Sequence, residues 1–136
     1  MRIGVIGTGV AGSLFVAAAL KSHSGAEVVA FDKIASGARE EAGTGLNIGP
    51  NALKALRRHG GFALDDLMAV SLPWKRWEIV LTNGTRLIDL DMTQIAGEPG
   101  IRIRWADLYA VMRAGSARAT LYDRQPVQSV DHATSR

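Results

Sequence analysis

Between residues 7 and 12 the chain runs Gly7-Thr8-Gly9-Val10-Ala11-Gly12, and no other feature limits its fold as strongly. The spacing is G-x-G-x-x-G, and its setting is what gives it meaning. Arg2-Ile3-Gly4-Val5-Ile6 before it is a short apolar run ended by Gly7, the form of a buried parallel strand. Val10 to Lys21 after it is rich in alanine and leucine, with Leu14, Ala17 and Ala18 on one helical face. A second apolar run, Glu27 to Phe31, ends at Asp32. Strand, tight turn, helix and parallel strand form the opening of a doubly wound α/β sheet. In such a turn Gly7 permits the sharp exit from the strand, Gly9 keeps a side chain out of the way of an approaching anion, and Gly12 lets helix and strand close together. The free N–H groups and the dipole of the helix then favour a diphosphate. Asp32 stands about 20 residues beyond Gly12, where an acid accepts hydrogen bonds from a ribose 2′-hydroxyl, and an acid there disfavours a 2′-phosphate. The residues therefore predict a dinucleotide site at Gly7, Gly9, Gly12 and Asp32. They leave FAD and NAD both open.

At 136 residues the chain fits one domain, and 47% hydrophobic against 21% charged residues is the balance of a packed protein rather than a disordered one. The net charge of +3 is spread among interleaved acids and bases, so no nucleic-acid partner is expected. The most basic stretch, Lys54 to Arg58, reads as the wet side of a helix. Without cysteine there are no disulfides, thiolate metal sites or cysteine nucleophile, which fits a reducing cytoplasm. His23, His59 and His132 lack metal-ligand spacing, so no metal site is expected. Arg2 followed by the apolar run Val10 to Leu20 has the outline of a secretory signal, but the patterned glycines argue against it. No run approaches the ~20 apolar residues of a membrane span, so a cytoplasmic location is expected.

Further along, residues 33–49 read as loop, Pro50 opens a helix to about His59 with Gly60 as its stop, and Trp105 to Ala114 forms another helix. Trp77 to Leu81 and Arg86 to Leu90 flank Asn83-Gly84, which predicts a hairpin with a type I′ turn. Ala119 to Tyr122 and Val127 to Val130 read as final strands. A nicotinamide-binding unit would place its third strand soon after residue 60; the first good candidate here is Ala119 to Tyr122.

Two segments carry a family resemblance. Gly43-Thr44-Gly45-Leu46-Asn47-Ile48-Gly49-Pro50-Asn51-Ala52-Leu53-Lys54-Ala55-Leu56 resembles the G-x-G-(I/L)-x-(I/L)-x-P-N-A-L-x-x-L stretch of the FAD-dependent aromatic hydroxylases, the single-component flavoprotein monooxygenases. Arg102 to Met112 is similar to their hydrophobic-x-R-x-x-L-x-x-x-L segment, with Met112 where leucine is usual. The resemblance implies a Rossmann-like, glutathione-reductase-type FAD-binding fold with an inserted β-hairpin at about 74–91. It implies that Gly7, Gly9 and Gly12 with Val10 and Ala11 hold the FAD diphosphate and Asp32 the adenosine ribose, with Lys33 beside it. Arg104 would reach the diphosphate and ribityl side, Val127 would meet the adenine, and Arg39 would correspond to an arginine near the flavin. In that chemistry NAD(P)H reduces FAD, and one atom of dioxygen goes to an electron-rich ring, so the parent enzyme's partner would be a small aromatic substrate. The D-G and G-D-A segments that such proteins carry later are absent. Residues 1–136 are thus expected to be the N-terminal portion of an FAD-binding domain, a fragment or truncated product without the substrate domain. No residue receives a catalytic assignment, and the sequence does not set the oligomeric state. The alternatives are an NAD-dependent oxidoreductase and a non-catalytic dinucleotide-binding module.

Overall fold

A computed structural model describes residues 1–39, 43–60 and 64–131, without the side chains of Ser36 and Arg39. Strand β1 (Arg2–Ile6), helix α1 (Val10–Ser22) and strand β2 (Glu27–Phe31) follow one another as the sequence predicts. Strands β1 and β2 pair in parallel, from Arg2 opposite Glu27 to Ile6 opposite Phe31. The third strand, β8 (Thr120–Tyr122), joins the outer side of β2, also in parallel, giving the order β1-β2-β8. The late candidate at residues 119–122 is thus the strand that completes this layer.

Everything between lies outside that sheet. A 3-10 turn at Ser36–Arg39 leads to β3 (Gly45–Ile48), α2 (Pro50–His59), α3 (Leu64–Ala69) and β4 (Leu72–Trp74). A two-stranded ribbon, β5 (Arg76–Val80) and β6 (Arg86–Asp91), precedes α4 (Met92–Ala96), β7 (Gly100–Arg104) and α5 (Trp105–Gly115). Strand β7 runs antiparallel between β3 and β4. Its alternation decides its burial: Ile101 and Ile103 face inward while Arg102 and Arg104 face out. Strand β3 falls inside the stretch expected to be loop.

Two cores result among the described residues, and α1 touches both. Val5, Val28 and Ala30 of the parallel sheet close on Val16 and Leu20 of α1. Ile101 and Ile103 close on Leu53 and Leu56 of α2, Leu67 of α3, and Leu108 and Met112 of α5, with Val10 and Leu14 of α1 packed against them. An alanine-rich helix suits this place, because small side chains let it lie close to neighbours on two sides.

Two expectations about local structure need correction. The hairpin is present, but its turn is not type I′: only Gly84 in it has positive φ (87°), and Gly84 N–H donates to Leu81 C=O at 2.9 Å. This is the three-residue loop in which a type I turn ends on a left-handed glycine, and Asn83 Oδ1 accepts the Thr85 N–H across it (3.0 Å). Val127 to Val130 is not a strand; Pro126 before it offers no ladder donor, and residues 124–131 take no regular structure. Lys54, Arg57 and Arg58 lie on the exposed side of α2, as expected. Lys54 Nζ reaches the Ala96 carbonyl (2.7 Å) and Arg57 the Glu98 carboxylate (2.9 Å), tying α2 to the end of α4.

The ribbon has one ionic and one apolar face. Arg76, Arg86, Glu78 and Asp89 form ion pairs on the first. Trp77 opposite Leu90 and Ile79 opposite Ile88 make the second, and all four are exposed. Among the described residues, no helix is long and apolar enough to cross a membrane.

Candidate dinucleotide site

The glycine turn is closed by backbone packing that admits no substitute at Gly12. A Cβ there would stand 1.8 Å from the Gly7 carbonyl oxygen. Gly7 itself has φ of 85°, and its N–H donates to the Phe31 carbonyl at 2.7 Å, so the turn is tied to the end of β2.

Asp32 completes the tie. It is 5% exposed. Its Oδ2 accepts the Thr8 N–H (2.9 Å) and the Thr8 hydroxyl (2.6 Å), while Oδ1 accepts the Ile34 N–H (2.9 Å). The Asp32 N–H donates to Tyr122 C=O and its carbonyl accepts from Gln125 N–H, so the residue also joins β2 to β8 and the segment beyond. An acid expected only to greet a ligand is therefore also a joint of the fold.

Helix α1 opens without help from a side chain. Its N-cap is Gly9, in extended conformation, which makes no side-chain cap, and the first turn holds no acid. The contrast is α4, where Asp91 caps Thr93 and Gln94 N–H. The first N–H groups of a helix have no partner within it. In α1 neither a cap nor a carboxylate in the first turn neutralises the positive end of the dipole. Tyr109 of α5 stands across from this opening, its hydroxyl 3.4 Å from where a Gly9 Cβ would be. Its ring meets Trp105 edge to face, centroids 5.1 Å apart. Thr8, Asp32, Ile34, Tyr109, Arg113 and Asp123 line a cleft at the carboxyl ends of the three parallel strands, where open α/β sheets bind their ligands.

The structure thus brings Gly7, Gly9, Val10, Ala11, Gly12 and Asp32 together, with Lys33 exposed beside them. Arg39 ends the 3-10 turn, and its side chain lies outside the described residues. Val127 lies elsewhere, in a groove with Gly4, Ile6 and Phe31 on the sheet face away from α1. Arg104, at the outward end of β7, is engaged by Asp107: Nε to Oδ2 at 2.7 Å and Nη2 to Oδ1 at 2.8 Å. Leu108 and Met112 are buried, as the two leucine positions of the R-x-x-L-x-x-x-L pattern require. Counting back three from Leu108 gives Trp105, so Arg104 stands one residue before the arginine position of that pattern. Thr8, Ser13 and Tyr109 were not singled out from sequence. The signal for Tyr109 was there, since it shares the apolar stripe of Trp105, Leu108 and Met112; for Thr8 there was none beyond its place inside the turn.

The Arg104–Asp107 pair carries a pH signature. Hydrogen bonds from Arg104, then its charge, hold the Asp107 carboxyl below its usual range, against partial burial. A carboxyl lowered on folding stabilises the protein above its unfolded pKa of ~3.9, and that contribution is lost as pH falls through the folded value. Arg104→Ala is expected to lower thermal stability slightly at neutral pH, since exposed pairs contribute little. The two melting curves should converge as the pH is taken below about 4. Midpoints that stay apart in acid would show that Arg104 acts through something other than Asp107.

No family model and no curated protein matches the chain. Solved structures do. The chain is similar to the tetrameric form of 2-methyl-3-hydroxypyridine-5-carboxylic acid oxygenase, with a TM-score of 0.75 at 23% identity, over 96% of this chain and 33% of that one. It is similar to p-nitrophenol 4-monooxygenase PnpA from Pseudomonas putida DLL-E4 (TM-score 0.80, 17% identity, 96% of this chain, 33% of that one). It is similar also to the tetracycline destructase Tet(51) (TM-score 0.62, 18% identity, 97% and 32%). At these identities the likeness establishes the fold. The chain spans about a third of the length of each.

Proposed function

We propose that the turn at residues 7–12, with Asp32, binds the adenosine-diphosphate half of FAD. We further propose that the chain is the FAD-binding part of an NAD(P)H-dependent monooxygenase acting on a small aromatic or similarly electron-rich molecule. The observation that carries this is the bare start of α1, held against a turn that Gly7 and Gly12 shape and Asp32 fastens. The backbone N–H groups of Gly9, Val10, Ala11 and Gly12 would face the diphosphate, each unit of negative charge gaining ~0.3–1 kcal/mol from the dipole alone. Asp32 would accept from the ribose, Lys33 would lie alongside, and Val127 would meet the adenine. The bound flavin would supply hydride acceptance and oxygen activation; this chain supplies binding and orientation. The FAD-binding domain would be of the glutathione-reductase type, with the β5–β6 ribbon as its inserted hairpin, and would act in the cytoplasm. The fold shared with two oxygenases that carry the same reaction class in their names supports this reading, as does the Pro50-Asn51-Ala52 stretch, whose Pro50 opens α2 and whose Leu53 and Leu56 are buried.

Titration of the purified chain tests it. ADP and FAD are expected to compete for one site, with NAD weaker than either, and to shift the amide resonances of residues 7–12 and 32. Saturating ADP that leaves those resonances in place would remove the site from this turn. NAD binding as tightly as FAD would favour a nicotinamide-dependent oxidoreductase.

A further inference from the structure

Thr8 occupies a variable position of the turn, yet three of its atoms are spoken for. Its N–H and its hydroxyl both donate to Asp32 Oδ2, at 2.9 and 2.6 Å, and its carbonyl accepts the hydroxyl of Ser13 at 2.9 Å. Ser13 is itself buried, one turn into α1. Two donors from one residue on one carboxylate oxygen fix the plane of that carboxylate, since each must lie near a lone-pair direction. Hydrogen bonds to a charged acceptor are short and about twice as strong as neutral ones, so the orientation is held firmly. The Ile34 N–H on Oδ1 holds the other end.

We infer that Thr8 is a positioning residue: its hydroxyl sets the Asp32 carboxylate in the orientation that accepts a ribose 2′-hydroxyl, and the preference of this turn for ribonucleotides over 2′-deoxynucleotides depends on it. This rests on the reading that the turn binds an adenosine diphosphate. The side-chain hydroxyl, not the threonine backbone, is the group that matters. Thr8→Val keeps the shape and removes the donor, whereas Thr8→Ser keeps the donor.

The experiment compares dissociation constants of ADP and 2′-deoxy-ADP for the wild type and both variants. The wild type is expected to prefer ADP about tenfold, the range of one hydrogen bond to a charged acceptor. Thr8→Val should lose about tenfold in ADP affinity and none for 2′-deoxy-ADP, erasing the preference, and Thr8→Ser should restore it. Where Thr8→Val does not fold, Thr8→Ala, which also lacks the hydroxyl, gives the same comparison. Equal losses for both nucleotides, or a wild type that binds both alike, would overturn the role assigned to Thr8 while leaving the site standing. A wild type that binds neither removes the site and this inference together.

Discussion

Gly12→Ala will cost the protein at least ~3 kcal/mol of stability, and with it the nucleotide binding proposed for this turn. The added carbon would lie 1.8 Å from the Gly7 oxygen and 2.9 Å from the Gly7 carbonyl carbon, both backbone atoms. Neither side can give way cheaply. Gly7 is pinned by its N–H bond to Phe31 at the end of β2. Gly12 sits in the first turn of α1, whose Ser13 N–H already bonds the Gly9 carbonyl at 2.9 Å. Relief therefore means pulling α1 off β1, which opens the core around Val5 and Val16. Against a typical total of ~5–15 kcal/mol, the loss should lower the thermal midpoint by on the order of 10 °C. A midpoint within 2 °C of the wild type would mean that helix and strand are not packed as closely as described.

The second large effect separates binding from folding. Gly9→Val places its first carbon 3.4 Å from the Tyr109 hydroxyl, a contact that a slight shift of α5 accommodates, but its two further methyls must then fill the approach to the helix start. ADP affinity is expected to fall more than 100-fold, about 2.7 kcal/mol, with a much smaller loss of thermal stability than Gly12→Ala shows. Wild-type ADP affinity in Gly9→Val would show that no ligand approaches the backbone there.

How much of this was visible in the residues follows from what each signal depends on. The β1–α1–β2 unit was legible because its reasons are local: an apolar run, a glycine spacing fixed by backbone collision, and an acid at a strand end. The α2 start was legible through Pro50, whose fixed φ suits a first helical position. Strand β3 was not, because Leu46 and Ile48 alternate with Gly45 and Asn47 over only four residues, too short a period to distinguish from loop. Strands β4 and β7 exist through each other and β3, and Pro73 argued against the first. Helices α3 and α4 are six and five residues long, below the length at which periodicity speaks. The site showed the same division. The glycines and Asp32 announced themselves, whereas the bonds from Thr8 to Asp32 bridge distant points of the chain, and no spacing rule reports such a bond. Arg104 illustrates the converse hazard, since a one-residue offset in a helical pattern exchanges an outward guanidinium for the indole of Trp105.

The position of β8 has a consequence for how the molecule assembles. Strand β2 ends at Phe31 and its outer neighbour starts only at Thr120. At ~5–20 residues per second, a ribosome leaves that edge bare for several seconds while the whole antiparallel layer emerges. Closing so long a loop costs entropy before any contact rewards it, so the last pairing is slow as well as late. For that interval Val29 and Phe31 sit on an unpaired strand edge, open to whatever else is nascent nearby.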